Sequence, residues 1–165
     1  MSEWSEQIDV GEIPENGTNF DVIVVGGGPG GSAAASYHSM NGQKVLLLEK
    51  EIWPRDKICG DAVGGKSLRH VKELGVKTMI EGTPHFRVDS ILMSSSNGTE
   101  VKIELPKEAF EKMEAGYALP RIQFDYMMFK RATEILHENG GYVMQGFSVT
   151  DVKIETEGSV QKIIG

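Results

Sequence analysis

Three glycines at fixed spacing, Gly26-x-Gly28-x-x-Gly31, lie between an apolar run and a stretch of small, helix-forming residues. The run at residues 22–25 is short, continuous and β-branched, which is typical of a strand buried on both faces of a parallel sheet. Residues 32–37 predict a helix that ends near Asn41 and Gly42. A second apolar run at residues 45–48 predicts another buried strand. Residues 20–50 therefore predict one β-α-β unit.

The glycine spacing predicts a site for a diphosphate. Gly26 permits a tight turn, Gly28 allows the backbone to approach a pyrophosphate, and Gly31 allows the helix to pack closely on the strand. The helix N-terminus that follows attracts phosphate. Glu49 at the end of the second strand suits ribose hydroxyls and repels a 2′-phosphate, so the site favours FAD or NAD over NADP. A ligand-free glycine turn is the plainer alternative, and the strand, helix and acid disfavour it.

Residues 60–67, Gly-Asp-Ala-Val-Gly-Gly-Lys-Ser, match the phosphate-loop pattern GxxxxGK[ST]. That loop requires a buried strand in front of it. Residues 53–59 are charged and contain Pro54, which is unlike a central strand. We therefore interpret the match as accidental and disfavour a nucleotide hydrolase.

Composition and charge exclude several classes of protein. The 165 residues include one cysteine, which excludes a disulfide framework or a CxxC pair, and the four histidines have no metal-ligand spacing, so no metal site is predicted. Residues 1–19 contain five acidic residues and no basic ones, which predicts a flexible acidic tail. No basic patch indicates nucleic-acid binding. No apolar run approaches the length of a membrane span, and no secretory signal is present, which predicts a cytoplasmic location.

Downstream patterns are less specific. Residues 86–105 predict a hairpin around Asn97-Gly98 with one wet face. Residues 122–139 predict an amphipathic helix and residues 142–164 short strands. Cys59 is either a small half-buried hydrophobe or a thiol near a cofactor. Arg121 is either a solvated helix-start residue or a phosphate or ribose contact.

Several segments together resemble the geranylgeranyl reductase family, which are FAD-dependent reductases related in fold to p-hydroxybenzoate hydroxylase. The segments are residues 21–35, residues 45–50, the stretch Pro-Arg-Asp-Lys-Ile-Cys-Gly at 54–60 and its continuation to Val63, and Arg121-x-x-Phe-Asp. The resemblance implies an α/β chain: a three-layer FAD/NAD(P)-binding, Rossmann-like domain with the start of a β-rich substrate-domain insertion. It divides the chain into the tail (1–19), the FAD-binding core and Cys-Gly loop (20–85), the hairpin insertion (86–116) and a return to the FAD-binding domain (117–165).

The resemblance also implies roles for particular residues. The residues expected to bind FAD are Gly26, Gly28, Gly30, Gly31, Glu49, Lys50, Cys59, Gly60, Asp61, Val63 and Arg121. Cys59 is also the candidate for shaping or protonating the reaction site. The implied reaction is reduction of C=C bonds in a geranylgeranyl lipid or pigment precursor, with NAD(P)H or a reduced electron carrier as donor. Such a substrate implies peripheral membrane contact.

Two alternatives share the glycine motif. One is a flavin-dependent monooxygenase or halogenase of the same fold, and the other is a non-catalytic dinucleotide-binding fragment. The resemblance covers only the N-terminal portion of the family, and the family's second FAD motif, a Gly-Asp pair, lies outside it. We therefore expect the 165 residues alone to lack turnover.

Overall fold

A computed structural model of the chain describes residues 6–106, 108, 116–158 and 160–164. The helices are α1 (Pro29–Met40), α2 (Ser67–Glu73), α3 (Val76–Glu81) and α4 (Arg121–Glu138). The strands are β1 (Val22–Val25), β2 (Val45–Glu49), β3 (Ala62–Val63), β4 (Phe86–Arg87), β5 (Ser90–Ser94), β6 (Glu100–Glu104), β7 (Tyr117–Ala118), β8 (Tyr142–Gln145), β9 (Ile154–Glu157) and β10 (Val160–Ile163).

A parallel sheet of three strands, in the order β1-β2-β8, forms the centre of the fold. Helix α1 connects β1 to β2, so the predicted β-α-β unit is confirmed. The helix begins earlier than predicted, at Pro29, inside the glycine motif. Proline suits the first turn of a helix because that position needs no backbone N–H donor. The chain is an α/β protein whose parallel sheet and connecting helix have a Rossmann-like arrangement.

Strand β1 differs from its prediction. It was expected to be buried on both faces, but Ile23 and Val25 are 48% and 62% exposed. Ile23 and Val25 share one face of β1, and the described residues leave that face uncovered at this edge of the sheet. Val22 and Val24 face the helices and pack against the apolar core. Within this described sheet, β2 lies between two neighbours and is buried along its whole length.

The predicted hairpin at 86–105 is divided between two sheets. Strands β5 and β6 form a hairpin around the turn at Gly98, whereas β4 joins β3 and β7 in a separate small sheet. The hairpin was expected to bury its apolar face. In the described part of the chain that face is exposed, by 48–60% at Ile91, Met93, Val101 and Ile103.

Helix α4 confirms the predicted helix at 122–139 and organises the core. Its buried residues join two apolar clusters, one with α2 and α3 and one with α1 and the parallel sheet. Trp53 is fully buried in the second cluster, where it stacks on Phe129 with ring centroids 5.2 Å apart. The loop between β2 and β3 is thereby fixed to α4.

The acidic N-terminal extension also differs from its prediction, because part of it is packed. Ile8 is 7% exposed and belongs to the same apolar cluster as Trp53 and Phe129. Its carbonyl accepts a hydrogen bond from Gln145 Nε2 at 3.0 Å. The apolar side chains of this polar stretch, such as Ile8 and Val10, are too few to define a period, so the pattern gave no sign of this burial.

The length and apolar content of the helices bear on membrane insertion. None of the helices within the described ranges is long and apolar enough to cross a bilayer.

Candidate functional site

The glycine turn is shaped by close backbone packing. Gly26 has φ +102°, a conformation that favours glycine, and its N–H donates to Leu48 O on β2 at 2.7 Å. A Cβ on Gly31 would lie 1.8 Å from Gly26 O, so helix α1 approaches β1 only because residue 31 has no side chain. A Cβ on Gly27 would lie 2.5 Å from the Phe129 ring. The sequence assigned no role to Gly27, because its constraint comes from a residue distant in the chain.

A cleft of about 910 Å³ opens over this turn. It lies where β1 and β2 end and α1 begins, and Gly26, Gly28, Gly30 and Gly31 all line it. No side chain caps α1, and its first turn contains no acidic residue. The positive end of the helix macrodipole therefore faces the cleft, with no acidic side chain from the first turn of the helix itself.

Glu49 lies at the floor of the cleft and is 3% exposed. Its Oε2 accepts from Gly27 N at 2.7 Å and from Arg55 Nη2 at 3.4 Å, and its Oε1 accepts from Glu51 N at 3.0 Å. Burial alone would raise the pKa of Glu49, but the N–H groups of Glu51 and Gly27 and the charge of Arg55 lower it below 4.5. An ionised carboxylate offers about four acceptor positions, so one remains for a ribose hydroxyl.

Arg55 lines the cleft beside Glu49. Its guanidinium lies over the Trp53 ring, 4.4 Å from the centroid, and pairs with Glu49. The Arg55 Nε is buried without a hydrogen-bond partner in the described part of the chain. A Cβ on Gly28 would lie 3.7 Å from Arg55 Nη2, which places this cation beside the glycine turn. A cationic guanidinium, only 15% exposed and next to a helix N-terminus, suits a diphosphate.

The loop after Arg55 meets the start of α4. Arg121 Nη1 donates to Cys59 Sγ at 3.0 Å, and Arg121 N donates to Asp61 Oδ1 at 3.0 Å. Arg121 Nε donates to Asp125 Oδ1 at 2.6 Å, and Asp125 is 1% exposed. The structure thus brings together Cys59, Asp61 and Arg121, three residues that the sequence analysis grouped as cofactor-binding.

The same contacts fix the charge of Arg121. Burial alone would lower the pKa of Arg121, but the hydrogen bond to Asp125 and the negative charges of Asp125 and Asp61 raise it. The guanidinium therefore stays cationic beside the Cys59 thiol, which is exposed.

Three predicted residues lie in other surroundings. Lys50 lies on the rim of the cleft with its side chain 71% exposed, 3.7 Å from Glu51. Val63 is 5% exposed in the apolar core, so its side chain faces away from solvent. A Cβ on Gly60 would meet no atom within 4 Å. Whether these residues contact a cofactor stays a prediction.

Sequence reasoning missed part of the cleft lining. The additional lining residues include Arg55, Asp56, Lys57, Phe147, Ser148 and Val149. The last three follow β8, and the pairing of β8 with β2 brings them to the same sheet edge as Glu49. Because carboxyl ends of parallel strands meet at one edge, a prediction that β8 joins this sheet would have found them.

The phosphate-loop match lacks the required context. Strand β3 lies inside the motif and pairs antiparallel with β7, and α2 has seven residues. Lys66 is exposed.

We expect Lys66→Ala to leave FAD affinity and thermal stability unchanged. We also expect neither the wild type nor the variant to hydrolyse ATP or GTP. Phosphate release measured for both proteins checks this, and hydrolysis that requires Lys66 would contradict it.

The fold and the cleft define a dinucleotide-binding domain. The glycine turn, the uncapped helix, Glu49 and the unpartnered Arg55 Nε fit the ADP portion of FAD. The family described as FAD dependent oxidoreductase matches residues 21–163. The chain belongs to this family, and the prediction of FAD as cofactor is confirmed.

Individual relatives cover this chain well but are much longer. The menaquinone reductase of Mycolicibacterium smegmatis is 31% identical over 147 residues, covering 89% of this chain and 34% of the relative. The digeranylgeranylglycerophospholipid reductase 1 of Methanothermobacter thermautotrophicus is 39% identical over 121 residues, covering 67% and 27%. The structure of the myxobacterial chondrochloren halogenase CndH is similar with a TM-score of 0.72 at 25% identity, covering 87% and 35%.

The chain thus spans about a third of the length of these proteins. The similarities confirm the resemblance to geranylgeranyl reductases for the N-terminal portion.

Proposed function

We propose that this chain is the FAD-binding portion of an oxidoreductase that reduces C=C bonds in a geranylgeranyl lipid or pigment precursor. The observation that carries the proposal is the loop at residues 54–63. It follows the cleft wall at Arg55 and ends in the contact of Arg121 with Cys59 and Asp61. The resemblance to the geranylgeranyl reductases depends mainly on the Pro-Arg-x-Lys-x-Cys-Gly pattern of this loop, because many flavoproteins share the glycine turn.

Two relatives support the same substrate class. Both are digeranylgeranylglycerophospholipid reductases, a name that includes the geranylgeranyl group. The exposed apolar face of the β5–β6 hairpin offers surface suited to such a group. We place the enzyme in the cytoplasm in peripheral contact with the membrane that holds such lipids.

Different residues of this chain bind the cofactor and take part in the proposed reaction. FAD, when bound and reduced by NAD(P)H or a reduced electron carrier, supplies the hydride for one carbon of the double bond. A proton adds to the other carbon, which completes the two-electron reduction. The glycine turn, Glu49 and Arg55 hold the ADP portion. Cys59, fixed by Arg121 at 3.0 Å, is the candidate for shaping the reaction site or delivering the proton.

The test uses the intact holoenzyme under anaerobic conditions. Digeranylgeranylglycerophospholipid or geranylgeranyl diphosphate is incubated with dithionite as reductant, and products are measured by mass spectrometry. We expect a gain of about 2 mass units per reduced bond, as addition of a hydride and a proton requires. Flavin oxidation without lipid reduction would contradict the proposal.

A halogenase or monooxygenase is the second candidate, favoured by the structural similarity to CndH at a TM-score of 0.72. Such an enzyme consumes oxygen at the flavin. Oxygen uptake coupled to incorporation of halide or oxygen into an aromatic substrate would support it. Lipid reduction without oxygen would exclude it.

Cys59 gives a residue-level prediction. We expect Cys59→Ala to lower kcat for lipid reduction by about 10²-fold, in the range typical of a lost proton-transfer group. FAD affinity should change little, because Cys59 is exposed and does not line the cleft over the glycine turn. Ile58→Ala, at a fully exposed position of the same loop that does not line the cleft, is the control for general disturbance of the loop. Equal kcat in Cys59→Ala and the wild type would show that Cys59 has no role in the reaction.

A further inference from the structure

The N-terminal extension lies outside the region that the family matches, which begins at residue 21. Residues 8–11 are nevertheless fixed to the domain, and we call them the N-terminal strap. Ile8 is 7% exposed, and Val10 O accepts a hydrogen bond from His137 Nε2 at 3.0 Å. Gly11 has φ +71°, and a Cβ there would lie 3.1 Å from the His137 ring. The strap therefore packs on α4 and β8 through both its backbone and its side chains.

Gln145 connects the strap to the wall of the cofactor cleft. Its Nε2 donates to Ile8 O at 3.0 Å, while its Oε1 accepts from Trp53 N at 2.9 Å. One amide side chain thus holds the backbone of the strap and the backbone of the loop after β2. A side chain that satisfies both segments fixes their relative position, because neither can move without losing a hydrogen bond.

From Trp53 the contacts continue to the glycine turn. The Trp53 ring packs against Phe129 and carries the Arg55 guanidinium, which pairs with Glu49 at 3.4 Å. Glu49 in turn accepts from Gly27 N at 2.7 Å. Ile8, Trp53 and Phe129 also belong to one apolar cluster. Every step is a direct contact, so the strap and the cleft are joined by a continuous packed network.

We propose that the N-terminal strap, acting through the positioning residue Gln145, holds Trp53 and Arg55 in the arrangement that binds the ADP portion of FAD. None of the strap residues lines the cleft over the glycine turn. The strap therefore acts by preorganisation: without it, Arg55 and Glu49 would have to be ordered when FAD binds, at a cost in affinity. The proposal depends on FAD occupying this cleft and is independent of the substrate.

The test compares variants of the intact chain. Ile8→Ala removes the packing of the strap. Gln145→Glu keeps an oxygen to accept from Trp53 N but cannot, when ionised, donate to Ile8 O. We expect each to weaken FAD affinity about tenfold, as measured by flavin fluorescence. Ile13→Ala, at a position 73% exposed in the same extension, should leave affinity unchanged.

A second measurement separates positioning from general destabilisation. Trp4 is the other tryptophan of the chain, so in a Trp4→Phe background the emission reports on Trp53 alone. Wild-type Trp53 is fully buried, and we expect Ile8→Ala and Gln145→Glu to increase its quenching by acrylamide in the absence of FAD. Leu68→Ala creates a cavity in the other apolar cluster; it should lower the melting temperature without changing Trp53 quenching or FAD affinity.

Unchanged FAD affinity and unchanged quenching in Gln145→Glu and Ile8→Ala would overturn the proposal. A loss of affinity in Leu68→Ala equal to that in Ile8→Ala would also overturn it, because stability alone would then explain the effect. A wild-type chain that does not bind FAD would overturn the cofactor assignment together with this proposal.

Discussion

Gly31→Ala is expected to abolish measurable FAD binding and to lower the free energy of unfolding by about 3 kcal/mol or more. The added Cβ would lie 1.8 Å from Gly26 O and 3.0 Å from Gly26 C. These are backbone atoms of the turn itself, so no side-chain rotation relieves the overlap. Helix α1 must move away from β1, and its N-terminus then no longer faces the cleft. Urea unfolding and FAD titration measure the two effects.

Gly30→Ala is the matched control on the same helix turn. A Cβ on Gly30 would meet no atom within 4 Å. Alanine is favoured over glycine in a helix by roughly 0.5–1 kcal/mol, so this variant should unfold at an equal or higher urea concentration. Because Gly30 lines the cleft, its FAD affinity should still fall. Equal stability of the two variants would show that the helix does not depend on the close approach at Gly31.

The β-α-β unit was predictable because its information is local. Two short apolar runs, a glycine turn and a stretch of small residues identify β1, α1 and β2, and Glu49 follows from its place at the end of β2. Helix α4 was predictable from its periodicity. These features depend on residues close in the chain, where hydrophobic patterning and turn chemistry agree.

The remaining features depend on contacts between distant residues. The need for glycine at residue 27 is set by Phe129, and the burial of Ile8 is set by a cluster assembled from α4, β2 and β8. The exposure of Ile23 follows from its face of β1, which the described residues leave uncovered. No local pattern reports such pairings, because tertiary neighbours decide burial.

Within the site, Arg55 is a residue whose role depends on tertiary contacts and not on the local sequence pattern. The charged, proline-containing segment around it argues against a strand before the phosphate-loop match and contributes to the family resemblance, but neither argument places Arg55 in the cofactor site. The structure gives that segment a different role, since Trp53 is buried and Arg55 reaches Glu49. In the sequence, Arg55 is an arginine that follows a tryptophan and a proline, and this pattern alone predicts no site. Its role becomes clear only in the structure, where the guanidinium lies over the Trp53 ring.

Glu49→Gln is expected to weaken FAD affinity by about 10- to 100-fold and to lower the free energy of unfolding by about 2–4 kcal/mol. Glu49 accepts N–H bonds on both oxygens, from Gly27 on Oε2 and from Glu51 on Oε1. Glutamine has one oxygen and one NH₂ group, so one of these backbone N–H donors must face another donor. Arg55 also loses its buried anionic partner. FAD titration and urea unfolding of the variant measure both losses.

The same variant has a defined pH signature. The folded-state pKa of Glu49 is lowered from 4.5, so its ionised form stabilises the fold above pH 4.5, and that contribution is lost as the pH falls through the lower folded-state value. Glu49→Gln removes this titration, and the fall in stability of the variant below pH 4.5 should therefore be shallower than in the wild type. Glu51→Gln is the control, because its side chain is 53% exposed and its backbone N–H to Glu49 is retained. Parallel acid limbs in wild type and Glu49→Gln would show that Glu49 is not held as an ionised acceptor beneath the cleft.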